Sequence, residues 1–212
     1  GQAEFLRRAV RERQNIPIAG ATSSGKTTLA NALLAEIAAT GDRVLVLEDT
    51  IELQCAARDH VPLRTRAGVV SMTELVRATM RLRPDRVIVG EVRGGEALDL
   101  VKVWGTGHPG GIATIHAGSA LGALLRLEQL ILEVAVNPPR ALIAEAVNVV
   151  IHIAGRGRKR RVESIARVVG FDGTGYRLAD ALETPFPELM PVPLAADAAA
   201  PSSSLDLPGE LP

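Results

Sequence analysis

Residues Gly20 to Thr27 read G-A-T-S-S-G-K-T: a glycine, four free positions, then Gly-Lys-Thr. This is the spacing of a phosphate-binding loop, and it constrains the fold more than any other feature of the chain. Such a loop works only between a buried strand and the first turn of a helix, where backbone N–H groups and the positive helix end converge on an anion. Both flanks are present. Ile16 to Ala19 is a short apolar run suited to a buried strand, and Thr28 to Ile37 repeats its apolar residues at helical spacing. The pattern points to a nucleoside triphosphate as ligand.

The rest of the chain continues the alternation of strands and helices. Residues 2–13 form an amphipathic helix with Phe5, Leu6, Ala9 and Val10 on one face. Arg43 to Glu48 reads as a buried strand after the Gly41-Asp42 turn, and Asp59 to Thr65 as a weaker extended segment. Ser71 and Glu74 make a capping box for a helix through Leu82, which Pro84 closes. Strands are predicted from Arg86 to Gly90, Gly110 to His116, Val149 to Ile153, Val162 to Val169 and Tyr176 to Leu178. Between the earlier ones lie helices from Gly95 to Trp104, Ala120 to Val134 (capped by Ser119) and Pro138 to about Val147. This order implies an α/β fold, a mostly parallel sheet flanked by helices, with ligands beyond the carboxyl ends of the strands.

Composition agrees. Hydrophobic residues make up 47% of the 212 positions but aromatics only 2%, so the core is aliphatic, as in a covered parallel sheet. The few aromatics are too scattered to form a base-stacking platform for single-stranded nucleic acid. Cys55 is the only cysteine, which excludes an internal disulfide or a multi-cysteine zinc site. No apolar run reaches the ~20 residues of a membrane span. The zero net charge conceals an asymmetry: residues 181–212 hold five acids, no Lys or Arg, and seven of the thirteen prolines. That segment reads as a disordered acidic tail after a core of residues 16–180, with residues 1–15 as a linker helix.

Polar residues close the apolar runs. Lys26 is placed to reach the β and γ phosphates, and Thr27 to hold Mg2+. Glu91 follows Val87 to Gly90 and suits a water-activating or metal-holding carboxylate; Glu48 and Asp49 form a second acidic strand end. Which glutamate acts as base is left open. His116 closes another strand and could contact the γ phosphate or serve as a structural hydrogen-bonder. Arg64 and Arg66 lie between the acidic strand ends, where an arginine could stabilise transition-state charge or simply be solvated. The run from Arg156 to Arg161 reads as an exposed hairpin tip, with nucleic acid or anionic membrane contact as the alternative.

Four blocks in this order resemble the secretion-system traffic ATPases of the RecA-like P-loop class. They are the phosphate loop itself, L-E-D-T-I-E-L from Leu47 to Leu53, R-P-D-R-V-I-V-G-E-V-R-G from Arg83 to Gly94, and T-G-H-P-G-G-I-A-T-I-H-A-G-S-A from Thr106 to Ala120. The Pro-Gly-Gly before His116 and the segment Val136 to Arg140 look most like the TrbB-type ATPases of conjugative DNA transfer. The resemblance implies a hexameric ring on the cytoplasmic face of an inner-membrane channel, peripheral to the membrane, hydrolysing ATP with Mg2+. It implies that Gly20, Ala21, Thr22, Ser23, Ser24, Gly25, Lys26, Thr27 and Thr28 hold the phosphates, with Thr27 and Glu91 toward the metal. Glu48 and Glu91 would serve hydrolysis, His116 would sense the γ phosphate, and Arg64 and Arg66 would match the family's arginine-rich stretch. A family N-terminal domain is expected to be absent, only nineteen residues preceding Gly20. The tetracysteine metal site of many type II and pilus relatives is excluded by the single Cys55. An alternative role is a nucleotide-binding assembly module of the same machinery with little turnover. Direct DNA binding is not expected, because no recognition motif accompanies the +5 charge of residues 1–180.

Overall fold

The computed structural model describes residues 1–183. Helix α1 (Gln2–Arg11) leads into strand β1 (Ile16–Gly20), the phosphate loop and α2 (Lys26–Ile37). Strands β2 (Val44–Glu48) and β3 (His60–Arg64) follow, then α3 (Met72–Thr79), β4 (Arg86–Val92), α4 (Glu96–Gly105) and β5 (Ile112–Ile115). Helices α5 (Ala120–Ile131) and α6 (Arg140–Ala146) precede β6 (Val149–Ala154), β7 (Arg161–Phe171) and β8 (Tyr176–Asp180). The eight strands form one sheet in the order β3-β2-β4-β5-β1-β6-β7-β8. All pairs are parallel as far as β6, and β6-β7-β8 close the sheet as antiparallel hairpins.

The central strands are buried on both faces because successive residues feed opposite cores. Val44 and Val46 pack with α1 and α2 on one face, whereas Leu45 and Leu47 pack with α3 to α6 on the other. Helix α1 belongs to this body: Leu6, Ala9 and Val10 are buried in the same cluster as Leu33, Leu34 and Ile37 of α2. The stretch expected to be a linker is thus a packed element, its arginines turned outward.

Several long-range polar contacts set the strand starts. Asn15 is 2% exposed. Its side-chain amide donates to the Ala146 carbonyl at 2.7 Å, and its Oδ1 accepts from Gly111 N–H at 2.9 Å. Its own N–H donates to Asn148 Oδ1 at 2.8 Å. One residue therefore ties together the starts of β1, β5 and β6. Gly111 must be glycine here, since a Cβ would sit 2.0 Å from Trp104 Nε1. The capping box at α3 is formed as expected, Ser71 accepting from Glu74 N–H and Glu74 from Ser71 N–H.

Boundaries shift where tertiary contacts intervene. Helices α3 and α5 end at Thr79 and Ile131, earlier than predicted, because the following residues close tighter turns: Leu82 N–H donates to the Thr79 carbonyl and Val134 N–H to that of Ile131. Strand β4 runs on to Val92, with Glu91 inside it. The expected tail starts at residue 181, yet Ala181 is buried and its N–H donates to the Ile165 carbonyl. The remainder of that expectation, residues 184–212, lies outside the described residues.

Candidate nucleotide-binding site

Strands β2, β4, β5 and β1 are consecutive neighbours, so their carboxyl ends share one rim. The four polar strand ends singled out in the sequence meet there. They surround a cavity of about 350 Å3 lined by Thr22, Ser23, Lys26, Thr27, Glu48, Asp49, Thr50, Glu52, Leu53, Gly90, Glu91, Arg93, Thr114 and His116.

The loop itself is held from within. Gly25 precedes α2 with φ of 104°, a left-handed conformation that a side chain would strain. Lys26 Nζ donates to the carbonyls of Gly20 and Ala21, both at 3.0 Å, so the ammonium is anchored across the loop it serves. Burial depresses the Lys26 pKa, opposed by the nearby charges of Glu91 and Glu52. Ser24 is 1% exposed, and its hydroxyl has no hydrogen-bond partner among the described residues. The first N–H groups of α2 have no intrahelical acceptor and face the same rim.

The acidic segment after β2 divides its labour. Glu48 is 6% exposed, and its Oε1 accepts the backbone N–H groups of Glu52 and Leu53 at 2.9 and 2.8 Å. It folds the segment back over α2. Asn31 secures the same turn, donating to the Glu52 carbonyl at 3.2 Å and accepting from Gln54 N–H at 2.9 Å. The result brings Glu52 to the phosphate loop, where its Oε2 accepts from the Thr27 hydroxyl at 3.0 Å. Glu52 received no role from the sequence, although it lies within the acidic block. Asp49 points the other way and accepts from Thr65 Oγ1 at 2.7 Å.

Glu91 is aimed by a backbone irregularity. The β4–β5 register passes from Val89↔Ala113 to Val92↔Ile115, so β4 carries one extra residue across Gly90 and Glu91. Bulges of this kind re-aim a side chain. The Glu91 carboxylate lies between His116 and Arg93: Oε1 is 2.7 Å from His116 Nε2, and Oε2 accepts from Arg93 Nε at 2.6 Å. Arg93, also unassigned by the sequence, is positioned by Glu96, whose Oε1 accepts the N–H groups of Arg93 and Gly94 at 2.7 and 3.0 Å. Thr114 Oγ1 donates to the Gly90 carbonyl at 2.6 Å and braces the bulge.

Two expected residues stand apart. Arg64 pairs in register with Glu48, but its side chain is exposed and does not line the cavity. Arg66 lines an adjoining groove with Asp49, Glu74 and Arg93. Within one chain, neither reaches the phosphate-loop cavity.

This geometry is found in a chain whose residues 1–165 match the family model described as type II/IV secretion system protein. The chain belongs to the type II/IV secretion system protein family. Among curated members, it is 51% identical over 178 residues to conjugal transfer protein TrbB of Rhizobium radiobacter, covering 83% of this chain and 55% of that relative. It is 40% identical over 178 residues to the type IV secretion system protein PtlH of Bordetella pertussis, covering 76% and 52%. The chain thus spans about half the length of the curated relatives it matches. A solved structure of the VirB11 ATPase from the Brucella suis type IV secretion system superposes with a TM-score of 0.71 at 34% identity, covering 78% of this chain and 53% of that one. The pilus retraction motor PilT, at 22% identity and a TM-score of 0.59 over 83% of this chain and 48% of that one, shares the fold. Among the described residues, no helix is long and apolar enough to cross a membrane.

Proposed function

We propose that this family member carries the ATP-binding and ATP-hydrolysing core of machinery for conjugative DNA transfer or type IV secretion. In this reading it works as one subunit of a hexameric ring, peripheral at the cytoplasmic face of the inner membrane beside its channel partners. The single observation that carries the reading is the shared rim: a lysine-bearing phosphate loop faces two separately held glutamates and a histidine across one cavity. The conjugal-transfer and type IV secretion relatives support the process.

In this reading Lys26 and the loop N–H groups neutralise the β and γ phosphates. Water attacks the γ phosphorus, the bond to the ADP oxygen breaks, and a carboxylate lining the cavity takes the proton from the water. Glu52 and Glu91 are the carboxylates placed for that work, and Glu48 positions Glu52. His116 shares Glu91 with Arg93 and couples the β5 end to the state of that carboxylate. The donors fit Mg2+: the Thr27 hydroxyl with Glu52 and Glu91 offers hard oxygen ligands. Among the described residues no group of three or more His, Cys, Asp or Glu forms a protein metal cage. Bound there, Mg2+ would offset phosphate charge as it builds in the transition state.

The test is Mg2+-dependent ATP hydrolysis over a range of chain concentrations, with Lys26→Ala as control. Turnover per chain that rises with concentration supports a site completed by a neighbouring subunit. ATP binding without turnover at any concentration would leave the assembly-module role, and unchanged ATP affinity in Lys26→Ala would overturn the site.

A further inference from the structure

Beside the nucleotide cavity lies a smaller pocket of about 270 Å3, at the rim where β1 ends between β5 and β6. It falls below the about 300–1,000 Å3 of drug-sized ligand sites, a size for a small ion rather than a nucleotide. Of the residues lining the two spaces, only His116 is common to both. His116 is therefore the partition between them.

The two sides of that partition differ in charge. The nucleotide cavity presents Glu48, Asp49, Glu52 and Glu91, whereas no Asp or Glu lines the smaller pocket. Its wall runs from Gly155 into the basic hairpin, where a Cβ on Gly155 would stand 2.1 Å from the Lys159 carbonyl oxygen. Arg160 of the same hairpin lies against the phosphate loop, its Cδ 3.4 Å from where a Cβ on Gly25 would be. Among the described residues the one ion pair of this run is that of Arg161 with Glu163, at 2.6 Å. The charges of Arg156, Arg158, Lys159 and Arg160 are left uncompensated beside the pocket.

Two polar side chains of the wall have no partner among the described residues. The buried hydroxyl of Ser24 is one. His152, half-buried on β6 opposite Ala19 of β1, is the other. The remaining histidines are all engaged. His60 and His108 place Nδ1 on backbone carbonyls at 2.8 and 2.9 Å, and His116 has Glu91.

We infer that this pocket is a second oxyanion site, which takes inorganic phosphate as it leaves the nucleotide cavity past His116. The inference rests on the nucleotide reading of the phosphate loop. Hydrolysis there leaves a phosphate ion among carboxylates that repel it once its bond to ADP is broken. Behind His116 the ion meets donors without acids: the Ser24 hydroxyl, for which a phosphate oxygen is a strong acceptor, and the ring N–H of His152. The uncompensated hairpin adds positive potential, as does the N-terminus of α5, which begins at Ala120 just beyond Gly118 of the wall.

The experiment is calorimetric titration of the full chain with inorganic phosphate, after the nucleotide cavity has been filled with Mg2+ and a non-hydrolysable ATP analogue. Wild type is compared with His152→Leu and Gly118→Phe. Gly118 is exposed, with no atom within 4 Å of a Cβ placed on it, so a side chain is accommodated there. The thermal transition of each variant checks the fold. Wild type is expected to bind phosphate with the analogue in place. Each variant is expected to weaken phosphate about tenfold, the scale of one hydrogen bond to an ion, and to leave the analogue unchanged. No phosphate bound by the filled wild type, or equal phosphate affinity in wild type and a folded variant, would overturn the pocket. Should one variant not fold, the other decides by the same criterion. Equal weakening of phosphate and analogue would make the pocket an extension of the nucleotide cavity and overturn it too. Failure of wild type to bind the analogue would remove the nucleotide reading itself, and the dependence of phosphate binding on His152 would still decide the pocket.

Discussion

Glu48 and Glu52 sit four residues apart in one acidic segment and do different jobs. Glu48 spends one carboxylate oxygen on the N–H groups of Glu52 and Leu53. Glu52 reaches the Thr27 hydroxyl. Their amide variants separate the roles. Glu52→Gln is expected to keep ATP binding and lower turnover at least ~100-fold, the usual scale for a proton-transfer group. Glu48→Gln retains a side-chain carbonyl that can accept the same N–H groups, so its turnover is expected to fall less than about tenfold, whereas Glu48→Ala loses the acceptor and the loop. Single-turnover hydrolysis measures both, and equal losses in the two amide variants would return Glu48 to direct chemistry. Sequence reasoning noted Glu48 as a strand-end acid, gave it a part in hydrolysis beside Glu91 only through the family resemblance, and left the base open. Glu52 was present in the quoted block, but its direction depends on a turn closed by Asn31 from another element. No local pattern encodes that turn.

At the scale of elements, the site is aimed by contacts between segments far apart in the chain. The capping box at α3 was legible because both partners lie within one turn, and Ser71→Ala is expected to cost about 1 kcal/mol in urea unfolding. The start of β4 was less transparent. Arg86 is 1% exposed and donates from Nε to Asp42 Oδ2 at 2.6 Å. Burial pushes the Asp42 carboxyl up, but hydrogen bonds from Arg86, Thr40 and Arg13 outweigh it and hold its pKa below the ordinary value. A depressed carboxyl pKa contributes stability that is present above the unfolded-state pKa and lost as pH falls through the folded-state one. Wild type is therefore expected to lose this contribution only in acid, below the usual carboxylate range. Asp42→Asn is expected to be about 3 kcal/mol less stable at neutral pH, because it leaves Arg86 buried without its charge partner, and to lose that acid dependence. Urea unfolding at neutral and acid pH, followed by the single Trp104, measures both; equal acid sensitivity in the two proteins would refute the assignment. The β4 bulge belongs to the same scale. The apolar run Val87 to Val89 marks a strand, but nothing in it reveals the extra residue that turns Glu91 toward His116.

For the whole molecule, the decisive fact is which strands become neighbours. The Asn15 side chain and backbone bridge the starts of three of them. Asn15→Ala strands a buried N–H of Gly111 and a carbonyl of Ala146, and it is expected to cost about 2–3 kcal/mol in the same urea assay. A change below about 0.5 kcal/mol would show that the strand starts are held by packing alone. By itself the sequence determined the periodic elements, the phosphate loop with its strand and helix, and the α/β class, because each of these is written in residues within a turn or two of one another. Tertiary structure alone decided that β2, β4, β5 and β1 lie side by side, that Thr27 meets Glu52 and Glu91 meets His116, and that the basic hairpin folds over Gly25. The physical reason is range. Hydrogen-bonded turns and side-chain periodicity are local, whereas strand order and the aim of a buried carboxylate follow from burying both faces of one sheet at once.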